Sequence, residues 1–270
     1  MGMPMDLYLV RHGESEANVI QEQGRQGDYS RFTEEYLAIP DRGWRLSAKG
    51  REQARCIGTW LQGKGPAFDR YLVSPYMRAR ETAVELGLPG AHWCECRLMR
   101  ERSLGEIDNM RPDDYEEVYH RNAVVRRGDP LYWSAPAGET LAQVAEVRAQ
   151  GLINWLQARA EGQSVIAVSH GDFMHTLMLL LEDLPDEEFI HRISSHDWDF
   201  HNCICLHYSR RDPHSGHVSA TISHVQASWP VPDPESGQWT VHSQPWRSFE
   251  HMELTNEELA AVVRAQEPHM

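Results

Sequence analysis

Three short segments of this 270-residue chain combine residue types that handle phosphate: Arg11-His12, the run from Ser74 to Arg80 that carries Arg78 and Arg80, and Ser169-His170. Arginine forks match phosphate oxygens in bidentate geometry and stay charged at any working pH. Cations beside an imidazole oppose its protonation, so one histidine of such a group remains neutral and nucleophilic near pH 7. A second histidine, donating an N–H to the same phosphoryl group, stabilises charge as it develops. If the three segments converge, they can support phosphoryl transfer through a covalent histidine intermediate.

Each segment begins where an apolar run has just ended. Leu7 to Val10, Tyr71 to Ser74 and Ser164 to Ser169 read as short buried strands. Helical spacing follows them. Ser47 serves as an N-cap before Ala54, Ile57, Gly58 and Leu61, Met77 to Leu86 reads as helix, and an apolar helix runs from Phe173 to Leu181. Thr140-x-x-Gln143 has the form of a capping box, followed by an apolar face at Val144, Val147, Gly151, Leu152 and Trp155. Strands alternating with helices predict an α/β architecture with a largely parallel sheet, whose chemistry collects at the carboxyl ends of the strands. The polar stretch from Val19 to Trp44 reads as an inserted loop with a helical turn at Phe32 to Leu37. Residues around Asn202 to Tyr208 and Val218 to Val225 read as an antiparallel hairpin. Past Ala227 the composition shifts to Pro230, Pro232, Pro234 and Pro245 with Trp229, Trp239 and Trp246, and a last helix is capped by Thr255 and Glu258. The expected organisation is a catalytic domain over 1–226, with an insert at 19–45 and a lid at about 100–138. A Pro/Trp-rich extension over 227–270 would clamp onto it through its tryptophans.

The chain is 41% hydrophobic, enough for a sizeable core, and carries 26 Lys plus Arg against 40 Asp plus Glu, a net charge of −14. That sign opposes a general nucleic-acid or anionic-membrane surface. A local arginine cluster can still invert it inside one cleft. No run of about 18 apolar residues reads as a membrane span, and the segment Asp6 to Val10 is too short for a signal peptide. Five cysteines without secreted-scaffold spacing fit reduced thiols, and the expectation is a cytoplasmic protein.

The run Leu9-Val10-Arg11-His12-Gly13-Glu14-Ser15-Glu16-Ala17-Asn18 resembles the signature of the histidine phosphatase superfamily, in its phosphoglycerate mutase-like branch. Three further pieces follow in the family's order. Ser74-Pro75-Tyr76-Met77-Arg78-Ala79-Arg80-Glu81-Thr82-Ala83 resembles the second-arginine motif. Leu98-Met99-Arg100-Glu101-Arg102-Ser103-Leu104-Gly105 resembles the segment bearing the acidic proton donor. Ser169-His170-Gly171 resembles the second-histidine motif. Weaker matches are Leu46-Ser47-x-x-Gly50-x-x-Gln53-Ala54 and Gly138-Glu139-Thr140, and the whole covers about residues 6 to 210. The resemblance implies a three-layer αβα sandwich with a mostly parallel mixed sheet. It implies His12 as the nucleophile, with Arg11, Arg78 and His170 binding the phosphoryl group and Asn18 and the Gly171 amide helping. Glu101 would protonate the leaving oxygen and then activate water, without metal or cofactor. The substrate would be a phosphorylated small molecule, and homo-oligomer formation is left open.

Glu106 and Asp108 are rival acids to Glu101. A carboxyl that donates near neutral pH needs burial to raise its pKa, while nearby arginines pull it down. Arg80 reads better as a helix-surface residue. Alternating His201, Cys203, Cys205 and His207 would share one face of a strand, but four ligands in a row about 7 Å apart cannot close a tetrahedron, so they read as a core-facing row. Cys94-x-Cys96 has no matching second pair. Tyr115, Tyr119, Arg121, Arg126, Arg127, Tyr132 and Trp133 fall in the lid segment, where substrate contact and a solvated helix face are both open. Ser103-Leu104-Gly105-Glu106-Ile107-Asp108 departs from the Tyr-Gly pair of a mutase. Its two carboxylates would repel a multiply anionic acid, which favours hydrolysis over phosphoglycerate mutase-type phosphotransfer. A non-catalytic phospho-ligand module on the same fold is the remaining alternative.

Overall fold

Strand β1 (Asp6–Arg11) sends alternate side chains into two separate apolar layers, as period-2 geometry requires. Leu7 and Leu9 join one cluster, while Tyr8 and Val10 join the other. Strand β4 (Ser164–Ser169) divides in the same way, with Val165 and Ala167 opposite Ile166 and Val168. A sheet apolar on both faces must be covered on both, and helices do so. The computed structural model describes residues 2–65, 67–195, 200–250 and 253–265.

Helices α1 (Glu16–Arg25) and α2 (Glu34–Ala38) precede α3 (Ala48–Lys64), which is followed by β2 (Arg70–Val73), α4 (Met77–Glu85) and β3 (Trp93–Glu95). Helices α3 and α4 cover one face through Ala54, Ile57, Leu61, Ala79 and Ala83. After α5 (Pro112–Val118) and α6 (His120–Gly128), the chain forms α7 (Leu141–Gln143), a π-helical turn over Val144–Ala149, and α8 (Gln150–Arg159). Together with α9 (Gly171–Leu181), this run covers the other face through Leu152, Leu156, Phe173 and Leu177. The expected capping box at Thr140 and Gln143 is present. Helix α10 (Asp186–Ser194) follows, then β5 (Cys205–Ser209), β6 (His224–Pro232), β7 (Trp239–Ser243), β8 (Arg247–Ser248) and α11 (Asn256–Ala265).

The order across the sheet is β3-β2-β4-β1-β5-β6-β7, with β8 also on β6. The site-bearing part, β3-β2-β4-β1, is parallel, and β5 to β8 add antiparallel pairings. This is the α/β sandwich expected from the sequence.

Four local expectations are corrected. The segment after Val19 is not a plain loop, because α1 starts at a capping box between Ser15 and Asn18. It buries only Ile20 and Gly24, too few apolar positions to show a period. The hairpin pairs β5 with a strand that begins at His224 rather than Val218. Cys203 has φ 59° and lies in the turn before β5, so only Cys205 and His207 of the alternating row belong to a strand. The boundary drawn between 226 and 227 falls inside β6, which pairs with β5 from His224 to Ser228. Its prolines lie at 230 and 232, where β7 is the neighbour on one side only, so a missing N–H costs no second ladder. Two tryptophans of this region make contacts beyond it: Trp239 Nε1 donates to Glu52 on α3 at 3.0 Å, and Trp246 meets the His207 ring edge-on.

Candidate active site

The carboxyl ends of β1, β2 and β4 deliver Arg11-His12, Ser74 and Ser169-His170 to one place. Parallel pairing of Arg11 with Ser169 sets β1 and β4 level, and the His12 amide continues the ladder to the Ser169 carbonyl at 3.0 Å. The turn after His12 needs glycine at two positions. A Cβ on Gly13 would lie 2.4 Å from the Gly50 carbonyl oxygen, and one on Gly50 would lie 2.1 Å from that of Glu14. This close approach brings the start of α3 against the turn. The Gly13 amide also donates to Thr82 Oγ1 on α4 at 3.0 Å, so α4 and the turn share one frame.

His12 is buried, and its Nδ1 lies 2.8 Å from the Gly13 carbonyl oxygen. A carbonyl only accepts, so Nδ1 carries the hydrogen and Nε2 keeps a lone pair. Arg78 Nε donates to that Nε2 at 3.2 Å. Burial, with Arg78 and Arg11 close by, holds the His12 pKa well below 6.5. His170 is fully buried, and its ring centroid lies 5.2 Å from that of His12. Burial first, then Arg78, His12 and Arg11, hold it neutral as well. Its Nε2 lies 2.7 Å from Ser74 Oγ, while Nδ1 has no hydrogen-bond partner among the described residues. When the Ser74 hydroxyl donates to Nε2, the buried Nδ1 carries the hydrogen; His170 lies behind His12 and is not among the residues that line the cleft.

Arg11 donates through Nη1 to the Phe200 carbonyl, and its buried Nε has no partner among the described residues. Arg78, only 5% exposed, gives both Nη groups to Asp41. Glu101 accepts from its neighbour's amide at 3.0 Å and from the Phe173 amide in the first turn of α9 at 3.3 Å. Burial, reinforced by the Asp172 carboxylate, overcomes the pull of Arg78 and raises its pKa to about 7. The sequence left that contest open, and the structure decides it for burial.

Arg11, His12, Asn18, Arg78 and Glu101 line one cleft of about 950 Å³. Asn18 commits its Oδ1 to the Ser15 amide at 3.0 Å, leaving the Nδ2 hydrogens as its donors. Gly171 opens α9 beside Arg11: a Cβ there would lie 3.5 Å from Arg11 Nε. The rivals separate. Glu106 is exposed and accepts from Tyr119 at 2.8 Å, whereas Asp108 lines the cleft with its pKa raised to about 6, chiefly by burial. Arg80 turns outward to an ion pair with Glu95. No group of three or more His, Cys, Asp or Glu among the described residues is arranged to hold a metal ion.

The insert and the lid segment roof the cleft, each around its own small cluster. Ile20, Phe32, Tyr36 and Trp44 form one, and Ile107, Tyr115, Ala123, Trp133 and Ala135 the other. Asn109, at φ 62°, ties them: it accepts from Trp44 Nε1 at 3.2 Å and donates to the Ile39 carbonyl at 2.9 Å. From the lid, Asp108, Arg126, Arg127 and Trp133 reach the cleft. Of the charged residues lining the cleft, Arg25, Asp41, Arg102 and Asp172 were not singled out as site residues from sequence. Arg102 and Asp172 adjoin recognised motifs, but Asp41 sits in a polar insert with no pattern to mark it.

The sandwich brings two neutral histidines and Arg11 to adjacent strand ends, with Arg78 in the first turn of α4, and comparison with known proteins gives its family. Residues 7–212 match the histidine phosphatase superfamily (branch 1), and the chain belongs to that superfamily. It is 30% identical over 198 residues to a 2,3-bisphosphoglycerate-dependent phosphoglycerate mutase of Parvibaculum lavamentivorans, covering 70% of this chain and 85% of that protein. It is 27% identical over 185 residues to the 6-phosphofructo-2-kinase/fructose-2,6-bisphosphatase 1 of Bos taurus, covering 68% of this chain and 34% of that longer protein. Among solved structures, the α-ribazole phosphatase of Shigella flexneri shares the fold with a TM-score of 0.60 at 22% identity, covering 81% of this chain and 95% of that one. A mycobacterial glucosyl-3-phosphoglycerate phosphatase does so with a TM-score of 0.58 at 22% identity, covering 76% and 90%. No helix among the described residues is long and apolar enough to cross a membrane.

Proposed function

We propose that this chain is a metal-independent phosphatase that hydrolyses phosphate monoesters of small molecules through a phosphohistidine on His12. The observation that carries the reading is one cleft holding a neutral histidine of fixed tautomer together with a carboxyl raised to about 7. His12 Nε2 attacks phosphorus as the bond to the leaving oxygen breaks, and Glu101 gives its proton to that oxygen. Arg11, Arg78 and the His170 Nδ1–H bind the oxygens on which charge builds. Water then attacks the phosphohistidine, its proton passes to Glu101, and His12 is restored. Asn18 and the amide of Gly171, at the start of α9, add donors of the kind helix N-termini offer to anions.

A second reading, phosphotransfer of the mutase type, is favoured by one observation. Arg126 and Arg127 line the cleft beyond Arg11 and Arg78 and would suit a second anionic group on the substrate, whereas Arg102 is already paired with Asp172 at 2.7 Å. Against it stand Asp41, Asp108 and Asp172 in the same cleft. Hydrolysis of p-nitrophenyl phosphate in excess EDTA tests the first reading, with acid-labile, base-stable labelling of His12 as its covalent signature. Absence of phosphate release, or release unchanged in His12→Ala, would overturn it. Incubation with 3-phosphoglycerate and a bisphosphorylated primer separates hydrolysis from mutase action.

A further inference from the structure

Asp41 spends three acceptors on one side chain. Its carbonyl oxygen accepts from Arg78 Nη1 at 2.7 Å, its Oδ1 from the same Nη1 at 3.0 Å, and its Oδ2 from Nη2 at 3.3 Å. The third donor position of the guanidinium, Nε, is on His12 Nε2. Four of the five N–H donors of Arg78 are therefore engaged, and its Nη1/Nη2 edge, one of those that match a phosphate in bidentate geometry, is filled by a carboxylate. The carboxylate comes from a three-residue turn, Asp41–Gly43, in the insert rather than from the sheet. That turn is held from both sides. Asn109 of the lid grips the preceding Ile39 carbonyl and the following Trp44 indole. Asp41 lines the cleft and is partly open to it, whereas Arg78 is almost wholly buried.

We infer that Asp41 is an internal competitor for the phosphoryl group, occupying Arg78 when the site is free and yielding it when a phosphate monoester binds. The inference rests on the phosphate-site reading above and adds a specificity-determining residue to it. A cleft with two arginines and neutral histidines binds a dianion tightly, and would hold the product phosphate as tightly as the substrate phosphoryl group. A carboxylate that returns to Arg78 lowers the affinity for both. The gain falls to substrates whose remaining groups contact the roof, because they have binding energy that free phosphate lacks. Asp41 also contributes to keeping the Glu101 proton in place, as a minor cause beside burial and Asp172.

The test measures binding of inorganic phosphate and orthovanadate by calorimetry, and hydrolysis of p-nitrophenyl phosphate, in the full chain and in Asp41→Asn and Asp41→Ala. Asp108→Asn serves as the comparison, since Asp108 is a cleft carboxylate with no hydrogen bond to Arg78 among those described. Losing a charge-assisted pair should tighten phosphate binding and lower its inhibition constant by roughly tenfold or more in both Asp41 variants, with KM falling alongside. Asp108→Asn should show a smaller gain. Unchanged or weaker phosphate binding in both Asp41 variants would overturn the inference, as would an equal gain in Asp108→Asn, which would reduce the effect to bulk charge. Tighter phosphate binding in a chain that hydrolyses no monoester would overturn the phosphatase reading while leaving the competition at Arg78 intact.

Discussion

The floor of the cleft and its roof are built by different rules. The floor is the set of strand ends on β1, β2 and β4, backed by the large apolar clusters on both faces of the sheet, and it carries His12, His170, Arg11 and the motif leading to Arg78. The roof is the insert and the lid segment, each resting on four or five buried residues and joined through Asn109. Side chains on the floor have their tautomers and rotamers fixed by a rigid frame, as the reacting groups need. The roof supplies further charges that line the cleft: Asp41, Asp108, Arg126 and Arg127. On the proposed reading, the nucleophile and most phosphate-binding groups belong to the floor, while the roof contributes Glu101 from the start of the lid segment and Asp41 on Arg78.

If the proposed reading holds, the largest losses come from His12 on the floor and from Glu101 at its border with the lid. His12→Ala should cut phosphate-monoester hydrolysis about 10³-fold or more and abolish the acid-labile phosphoprotein, measured by initial rates and by trapping. Glu101→Gln should cost about 10²- to 10⁴-fold with leaving groups that need a proton, and far less with an activated leaving group. The pH profile follows from the two opposite shifts. Glu101 is raised to about 7, so the proton-donating form is present below that pH and is lost as pH rises through it. His12 is depressed, so its imidazole is already neutral at 6.5 and loses nucleophilicity only well below that value. The chemical step should therefore fall on the alkaline side near pH 7, with no acid limb near 6.5. Glu101→Gln should erase the alkaline limb, and a limb that persists in that variant would assign it to Asp108 instead.

The same division explains how much the sequence disclosed. Floor residues were legible because each follows a β-run and carries an unusual pairing of residue types, as in Arg11-His12-Gly13. Gly13 and Gly50 were visible as motif members, and their mutual approach gives the physical reason. Of the roof, the lid was named through Asp108, Arg126, Arg127 and Trp133, but the insert was not legible because its contacts are few and non-local. Helix α1 shows only two buried positions, so hydrophobic periodicity had nothing to register. Asp41 reaches Arg78 across 37 positions, and no local signal marks a carboxylate that completes an arginine fork in another element. The tail misled for a different reason. Proline and tryptophan suggested an appendage, whereas β6 to β8 extend the sheet and Arg247 reaches the buried Glu182 at 2.8 Å.

Stability should divide the molecule along the same line. Phe173→Ala empties a fully buried position between α9 and the sheet and should cost about 3–5 kcal/mol of global stability, read by chemical denaturation. Phe32→Ala removes a ring that packs on Tyr29 and Tyr36 in the insert, where a small cluster can open without unfolding the sheet. Its global cost should be clearly smaller, while KM rises and hydrogen exchange in α1 and α2 accelerates. Equal global losses in the two variants would make insert and sheet one cooperative unit and break the comparison.

The smallest effect tests the joint within the roof. Asn109→Ala removes both the acceptor for Trp44 Nε1 and the donor to the Ile39 carbonyl, on either side of Asp41, but touches no residue of the floor. Two hydrogen bonds of about 1 kcal/mol each bound the effect at about thirtyfold, and because they reach the substrate only through Asp41, a change in KM of about a few-fold is expected with kcat and its pH profile unchanged. Asn109 also holds a positive φ that alanine tolerates poorly, so Asn109→Gly supplies the control that removes the bonds without that strain. If both variants alter KM alike, the hydrogen bonds matter. If only alanine does, the backbone conformation of the lid is what places Asp41 over Arg78.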